Sequence, residues 1–257
     1  MKRQILTLSA TILLIVASCS KSTTEVPSEE IPVFKRCKQT EVKFADGTVF
    51  QYEYDDRERV VKWKQIWKNS PLETITYLYS NDQIIETEVV GQQTTVTRHM
   101  YDSSGRIGTS KTDGTNYTVA YTYDASGYLT RRSVNNAQEL TQFLYTDGNL
   151  TTVRYDNGTY TISYGGTENA YSGGFFRYNT NDAFPEQIET PLYEYYGTRS
   201  RILPTKSVVT RSGTETTETY TYEKDKNGNV TKFVNSVKVG ANTSYTNTMQ
   251  YTYNCNK

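Results

Sequence analysis

The sequence predicts an all-β domain, an antiparallel meander of hairpins that repeats at about 22 residues. Three observations predict it. Tyr79, Tyr101, Tyr123 and Tyr145 recur at a spacing of 22, and two residues before each stands another ring or its substitute, Tyr77, His99, Tyr121 and Phe143. Residues two apart share one face of a strand, so each pair lays two rings on the same side of a sheet. A turn signal follows the second ring: Tyr101-Asp-Ser-Ser-Gly-Arg-Ile107 and Tyr123-Asp-Ala-Ser-Gly-Tyr-Leu129 share Tyr-Asp-x-x-Gly-x-aliphatic. The Asp can accept hydrogen bonds from turn amides and the Gly can take positive φ. No helical periodicity appears after the N-terminal segment, and Thr and Tyr at alternating positions suit a pleated, half-buried surface.

The chain opens on a different composition. Lys2 and Arg3 precede a mostly apolar stretch from Ile5 to Val16, too short for the roughly 20 residues a spanning helix needs and suited to a signal segment over residues 1–18. Val16, Ala17, Ser18 and Cys19 resemble the lipobox of bacterial lipoproteins, which implies lipidation of Cys19. Residues 19–37, with Ser20 to Thr24 and then Glu25, Pro27, Glu29, Glu30 and Pro32, cannot bury a core and read as a tether. Acylation anchors stably with two or three chains. Membrane attachment through that anchor is the expected localisation, an outer-membrane lipoprotein on either the periplasmic or the cell-surface side.

The β domain is expected over residues 38–257. Phe50, Tyr52 and Tyr54 open the series, and Tyr54 to Val60 and Tyr79 to Ile84 read as degenerate turns because they lack the Gly. Tyr145 to Leu150 is a shorter version built on Asp147 and Gly148, while Asp156-Asn-Gly158 and Asp225-Lys-Asn-Gly228 mark further hairpin tips. Two turns per repeat leave about seven residues per strand. Residues 165–204 break the rhythm with Gly165, Gly166, Gly173, Gly174, Pro185, Pro191 and Pro204 among many rings. This excursion is the candidate ligand surface, with Tyr171, Phe175, Phe176, Tyr193, Tyr195 and Tyr196, because long ring-rich loops are where binding sites sit. Tyr220 with Tyr222 and Tyr251 with Tyr253 close the series.

The Tyr-Asp-x-x-Gly-x-Leu units resemble the YD repeats of RHS-type proteins. Together with the lipobox and the segment Pro191-Leu-Tyr-Glu-Tyr-Tyr-Gly197 followed by Leu203-Pro-Thr205, they are similar to a Bacteroidota-type lipoprotein family of unknown function with a porin-like fold. That resemblance implies architecture and carries no functional residues. Strands of about seven residues are shorter than the 9 to 11 of a membrane barrel, and the face opposite the rings carries Thr, Arg, Lys and Glu. The expectation is a closed or nearly closed soluble barrel of ten or more strands, with an open, curled single-layer sheet as the alternative. An apolar outer row, Leu78, Met100 and Leu144 with Thr122, is expected to lie under the excursion. Cys37 and Cys255 sit at opposite ends of the domain, and an oxidising compartment favours a disulfide over two free thiols, which would bring the first strand beside the last.

With 28 basic and 28 acidic residues the chain lacks the basic footprint of a nucleic-acid binder. Removing Lys2 and Arg3 would leave it slightly negative. No phosphate loop, Cys-x-x-Cys pair or nucleophile elbow occurs, so no cofactor, metal or catalytic residue is expected. His99, the single imidazole, occupies a ring slot, and Asp102, Asp124, Asp147 and Asp156 are explained by turns. The reading that follows is a non-catalytic envelope lipoprotein that binds a ligand or partner, a glycan or an envelope protein among the candidates. A structural or assembly lipoprotein without a small-molecule ligand is the alternative, and a hydrolase a weaker one. Oligomeric state is not legible.

Overall fold

A computed structural model describes residues 37–67, 72–135, 139–155, 158–165, 191–211, 213–241 and 243–255. Sixteen strands follow one another in chain order and close into a barrel. They are β1 (Lys38–Phe44), β2 (Val49–Tyr54), β3 (Val60–Ile66), β4 (Glu73–Tyr79), β5 (Gln83–Val90), β6 (Gln93–Tyr101), β7 (Ile107–Thr112) and β8 (Thr118–Tyr123). The second half comprises β9 (Leu129–Val134), β10 (Glu139–Thr146), β11 (Asn149–Tyr155), β12 (Gly158–Tyr164), β13 (Pro204–Arg211), β14 (Thr214–Lys224), β15 (Val230–Val239) and β16 (Thr243–Asn254). β1 pairs with β16 through Lys38↔Asn254 to Phe44↔Met249, so the barrel is closed and the open-sheet alternative does not hold. Along that span closure leaves no unpaired edge.

A disulfide fastens the seam, Cys37 to Cys255, across 218 residues with Cα atoms 4.2 Å apart. Among the described residues the sole helical segment is a 3-10 stretch, Pro191–Tyr196, between β12 and β13.

The repeat assigns the two faces. Phe50, Tyr52, Trp63, Ile75, Tyr77, Ile84, Phe233 and Tyr251 are buried on the inner side in one cluster, and Leu129, Phe143, Leu150, Val153 and Tyr160 in a second. Outward positions carry Lys62, Lys64, Arg98, Lys111, Arg131, Arg154, Lys206 and Lys232 along the middle of the strands. Leu78, Met100 and Leu144 lie exposed on this outer face, at 67%, 40% and 41%. The expectation that the excursion covers them is corrected: its described part, 191–203, folds against the inner side and the turns.

One end of the barrel carries a recurrent turn. In Asp55, Asp102, Asp124 and Asp225, Oδ1 accepts the amides two and four residues on, at 2.8 to 3.0 Å. The amide three residues on donates to the carbonyl of the same Asp. Gly105, Gly127 and Gly228 take φ of 76°, 86° and 80° there, and Glu58 takes 66° in the first copy. The Tyr54 to Val60 copy is therefore a complete turn with a glutamate in the glycine place, not a degenerate one. Tyr79 to Ile84 does differ, with Ser80 donating its amide to the Gln83 carbonyl across a shorter loop.

A register shift adjoins the last Tyr of β2, β6, β8, β10 and β12, an extra residue that strengthens the twist that closure requires. The hydroxyls of Tyr54, Tyr79, Tyr123, Tyr164, Tyr222 and Tyr253 then donate to the carbonyls of Gln39, Val60, Ile107, Leu150, Pro204 and Val230 on the preceding strand, at 2.6 to 2.8 Å. The ring slot is thus also a hydrogen-bonding slot.

Candidate functional site

The seam, the Asp turns and the 3-10 segment gather at the same barrel end. The segment enters the barrel because Leu192 and Pro191 are apolar and buried, Leu192 fully so and within the inner cluster. Tyr195 lies half-buried between Tyr79 and Tyr101, with ring centroids 5.8 and 5.7 Å away. Burial pushes the Tyr195 hydroxyl up, and the Arg59 guanidinium opposes that shift. Burial likewise raises Tyr101 to about 12. Tyr196 packs edge-on to Tyr121 at 5.0 Å and is buried.

At Gly197 the chain turns with φ of 87°, and a Cβ there would strike the Gly127 carbonyl and come within 3.0 Å of the Tyr123 ring. Thr198 next donates its amide and its hydroxyl to the carbonyls of Gly127 and Ser126, both at 2.9 Å. The amides of Arg201 and Ile202 reach Asn149 Oδ1 at 3.0 and 3.2 Å, and the Leu150 amide donates to Ser200 Oγ. The segment is stitched to the β8–β9 and β10–β11 turns.

Of the ring residues singled out in the excursion, the structure brings Tyr193, Tyr195 and Tyr196 together, whereas Tyr171, Phe175 and Phe176 lie outside the described residues, as does Cys19. Tyr196 faces the interior rather than a surface. Tyr193 is partly exposed, with the Arg199 guanidinium 3.1 Å from its ring centroid. A guanidinium above a ring is a fixed, partly apolar ledge.

Deeper on the inner wall is a polar row absent from the sequence reading. Tyr77 on β4 stands opposite Glu86 on β5, and His99 on β6 opposite Ser110 on β7. His99 Nδ1 and Ser110 Oγ are hydrogen-bonded at 2.8 Å, which holds the imidazole with Nε2 3.7 Å from Glu86 Oε2. Trp63, stacked on Tyr52 at 5.9 Å, completes the row. Trp63 Nε1, the Tyr77 hydroxyl, Glu86 Oε2 and His99 Nε2 are all buried and meet one another across four strands. The Tyr77 hydroxyl is pushed far up by burial and then by Glu86, to which it is hydrogen-bonded, while its bond with Trp63 draws it down. Glu86 also acts on Tyr196, whose hydroxyl is raised first by burial and next by Tyr121. Alternation with Ile84 was the available signal for Glu86, since it puts a carboxylate in phase with the rings.

Glu218 anchors a second buried polar network on the inner wall. It is fully buried, yet its Oε2 accepts Tyr220 at 2.8 Å and Asn235 Nδ2 at 3.2 Å, and Tyr220 in turn meets Ser207 at 2.7 Å. Asp55 and Asp102 are occupied by turn amides and by Arg59 and Arg106 at 2.6 and 2.7 Å. Among the described residues no group of three or more His, Cys, Asp or Glu could hold a metal ion.

The barrel is similar to a porin-like protein from Bacteroides uniformis. The two are 20% identical, with a TM-score of 0.65 over 84% of this chain and 97% of that one. That likeness is one of fold. Neither a family model nor a curated protein matches the chain.

Proposed function

We propose that the chain is a non-catalytic envelope lipoprotein, anchored through Cys19 after loss of residues 1–18, whose barrel stands in water and binds a ligand or partner at its Asp-turn end through Tyr193 and Tyr195. The observation that carries this reading is the 3-10 segment itself. It holds Tyr195 between Tyr79 and Tyr101 and Tyr193 beneath Arg199, so partly exposed rings are fixed in place before any partner arrives. Pre-organisation of that kind lowers the ordering cost of binding.

The outer wall supports a barrel outside the bilayer. A membrane barrel needs an apolar band about 25 Å tall, and arginines and lysines at mid-strand on the lipid side cost about 2–4 kcal/mol each at the midplane. Lys62, Lys64, Arg98 and Lys111 occupy such outward positions. The porin-like likeness is compatible with an envelope location.

Glycan-array and thermal-shift screens of the purified protein test the binding reading. A bound glycan is expected to raise Tm, and Tyr193→Ala with Tyr195→Ala to remove the increase. A screen in which no glycan or envelope fraction binds in a manner sensitive to those rings would leave the assembly role as the better account.

A further inference from the structure

The strand that closes the barrel is shorter than the strand it closes on. β1 pairs with β16 from Lys38↔Asn254 to Phe44↔Met249 and then turns away toward β2, its last bond running from the Ala45 amide to the Thr248 carbonyl at 3.1 Å. β16 begins earlier, at Thr243, and stays paired with β15 from Val239↔Thr243 to Lys232↔Gln250. Among the described residues no strand lies on the other side of Thr243–Asn247, and Ser244, Tyr245 and Thr246 are all exposed.

The seam sets the direction of the free groups. In an antiparallel strand alternate residues bond to opposite neighbours. The carbonyls of Thr248 and Thr252 both serve the β1 side, the first accepting the Ala45 amide and the second the Thr40 hydroxyl. The amides and carbonyls of Ser244 and Thr246 share that phase and point into the gap. An edge of this kind is a template for another strand, and folded proteins blunt it with Lys, Pro or a bulge. From Thr243 to Gln250 β16 carries neither a charged residue nor a Pro, and the register shift of the seam lies toward the other end, at Gln39/Glu41. Tyr245, opposite the buried Val237 and 46% exposed, adds an apolar ring on the inner side of the same stretch.

We infer that Thr243–Asn247 is a dimerisation edge, through which two copies of this chain join β16 to β16 in one continuous sheet. Turned about a two-fold axis through Tyr245, the stretch meets itself antiparallel. Ser244 then stands opposite Thr246 of the partner subunit, and Tyr245 opposite Tyr245 of the partner subunit. Ser244 and Thr246 each offer one N–H and one C=O, so the two reciprocal pairs satisfy all of these groups at once. The uncharged stretch brings no like charges face to face, and a two-fold contact of this kind closes on itself at two copies. The gap is bounded by Ala45 at Thr248 and by the Gly240 turn, so it takes a strand of the length that a second copy supplies. This edge lies at the barrel end opposite the Asp turns and depends neither on the Tyr193 and Tyr195 ledge nor on the lipid anchor.

The test uses the full chain carrying Cys19→Ser, in which Cys37 and Cys255 are bonded to each other and no other thiol remains. Sedimentation velocity from micromolar to millimolar chain is expected to show the mass rising toward twice that of one chain. Tyr245→Cys places a thiol on the axis in a non-hydrogen-bonded pair, where Cα atoms stand about 4.5 Å apart and a disulfide can form. Mild oxidation should therefore give a covalent dimer, whereas Ser236→Cys, exposed one strand further in, should give none. Thr246→Pro removes one donor from each copy and should weaken association about tenfold, the order of two lost main-chain hydrogen bonds. An edge position tolerates Pro, and the bonds to β15 belong to the alternate residues, so the barrel stays folded. Tyr193→Ala should change nothing. A chain that stays single at every concentration, a dimer indifferent to Thr246→Pro, or Tyr245→Cys cross-linking no better than Ser236→Cys would overturn the assignment. A single chain whose Tyr245 is covered by an added extended peptide of unrelated sequence would also overturn it, and give the edge to a foreign strand.

Discussion

Glu58 shows how one residue reports on a turn. It sits at φ of 66° where Gly105, Gly127 and Gly228 stand in the sister turns, a region that costs an L-residue roughly 1–2 kcal/mol. Its ion pair with Lys38 is 3.4 Å long and largely exposed, and so offsets little. Glu58→Gly is expected to stabilise the protein by about 1 kcal/mol in urea unfolding, and Gly105→Ala to destabilise it by a similar amount, since nothing but the backbone opposes a Cβ there. Tyr123→Phe removes a 2.7 Å bond to the Ile107 carbonyl and should cost about 1 kcal/mol in the same unfolding measurement. Burial alone would raise the carboxyls of Asp55, Asp102 and Asp225. Side-chain and backbone donors at each turn outweigh it, Arg59 and Arg106 among them in the first two, and all three end below the usual carboxylate range. A lowered carboxyl contributes stability that is present above its unfolded pKa and lost as pH falls through the folded one. Urea midpoints should therefore drop steeply below about pH 4, and less steeply in Asp102→Asn.

At the scale of elements, the strands were legible because period-two alternation and Asp turns are local chemistry. Tyr101-Asp-Ser-Ser-Gly announces its own hairpin. The first turn was harder to read, since Glu58 occupies a conformation its side chain does not advertise. The 3-10 segment was less legible still: ring content marked it as ordered, but only packing shows that Leu192 and Tyr196 point into the barrel while Tyr193 stays partly outside. The polar row escaped for a related reason. Trp63, Glu86 and His99 are 36 residues apart at most and belong to three strands, so nothing in the local pattern brings them together before the register does. The segment's attachment is itself testable. Gly197→Ala would drive a Cβ into the Gly127 carbonyl, and is expected to release the segment, seen as faster hydrogen exchange at the Thr198 and Arg201 amides with the strand amides unaffected.

The whole molecule depends on one long-range pairing. A bond across 218 residues is worth more than about 4 kcal/mol in the chain-entropy account, so Cys37→Ser with Cys255→Ser should shift the urea midpoint by most of that amount without changing the strand content seen by circular dichroism. The closed meander also has a consequence in time. β1 is made first, yet its second neighbour, β16, occupies Thr243–Asn254 and emerges last. Throughout synthesis the growing sheet carries two sticky borders, one permanent at β1 and one that advances with each new strand, and the final dozen residues retire both at once. A chain truncated before Thr243 would keep those borders for life, and would be found as polymers joined β1 to β15 rather than as monomers.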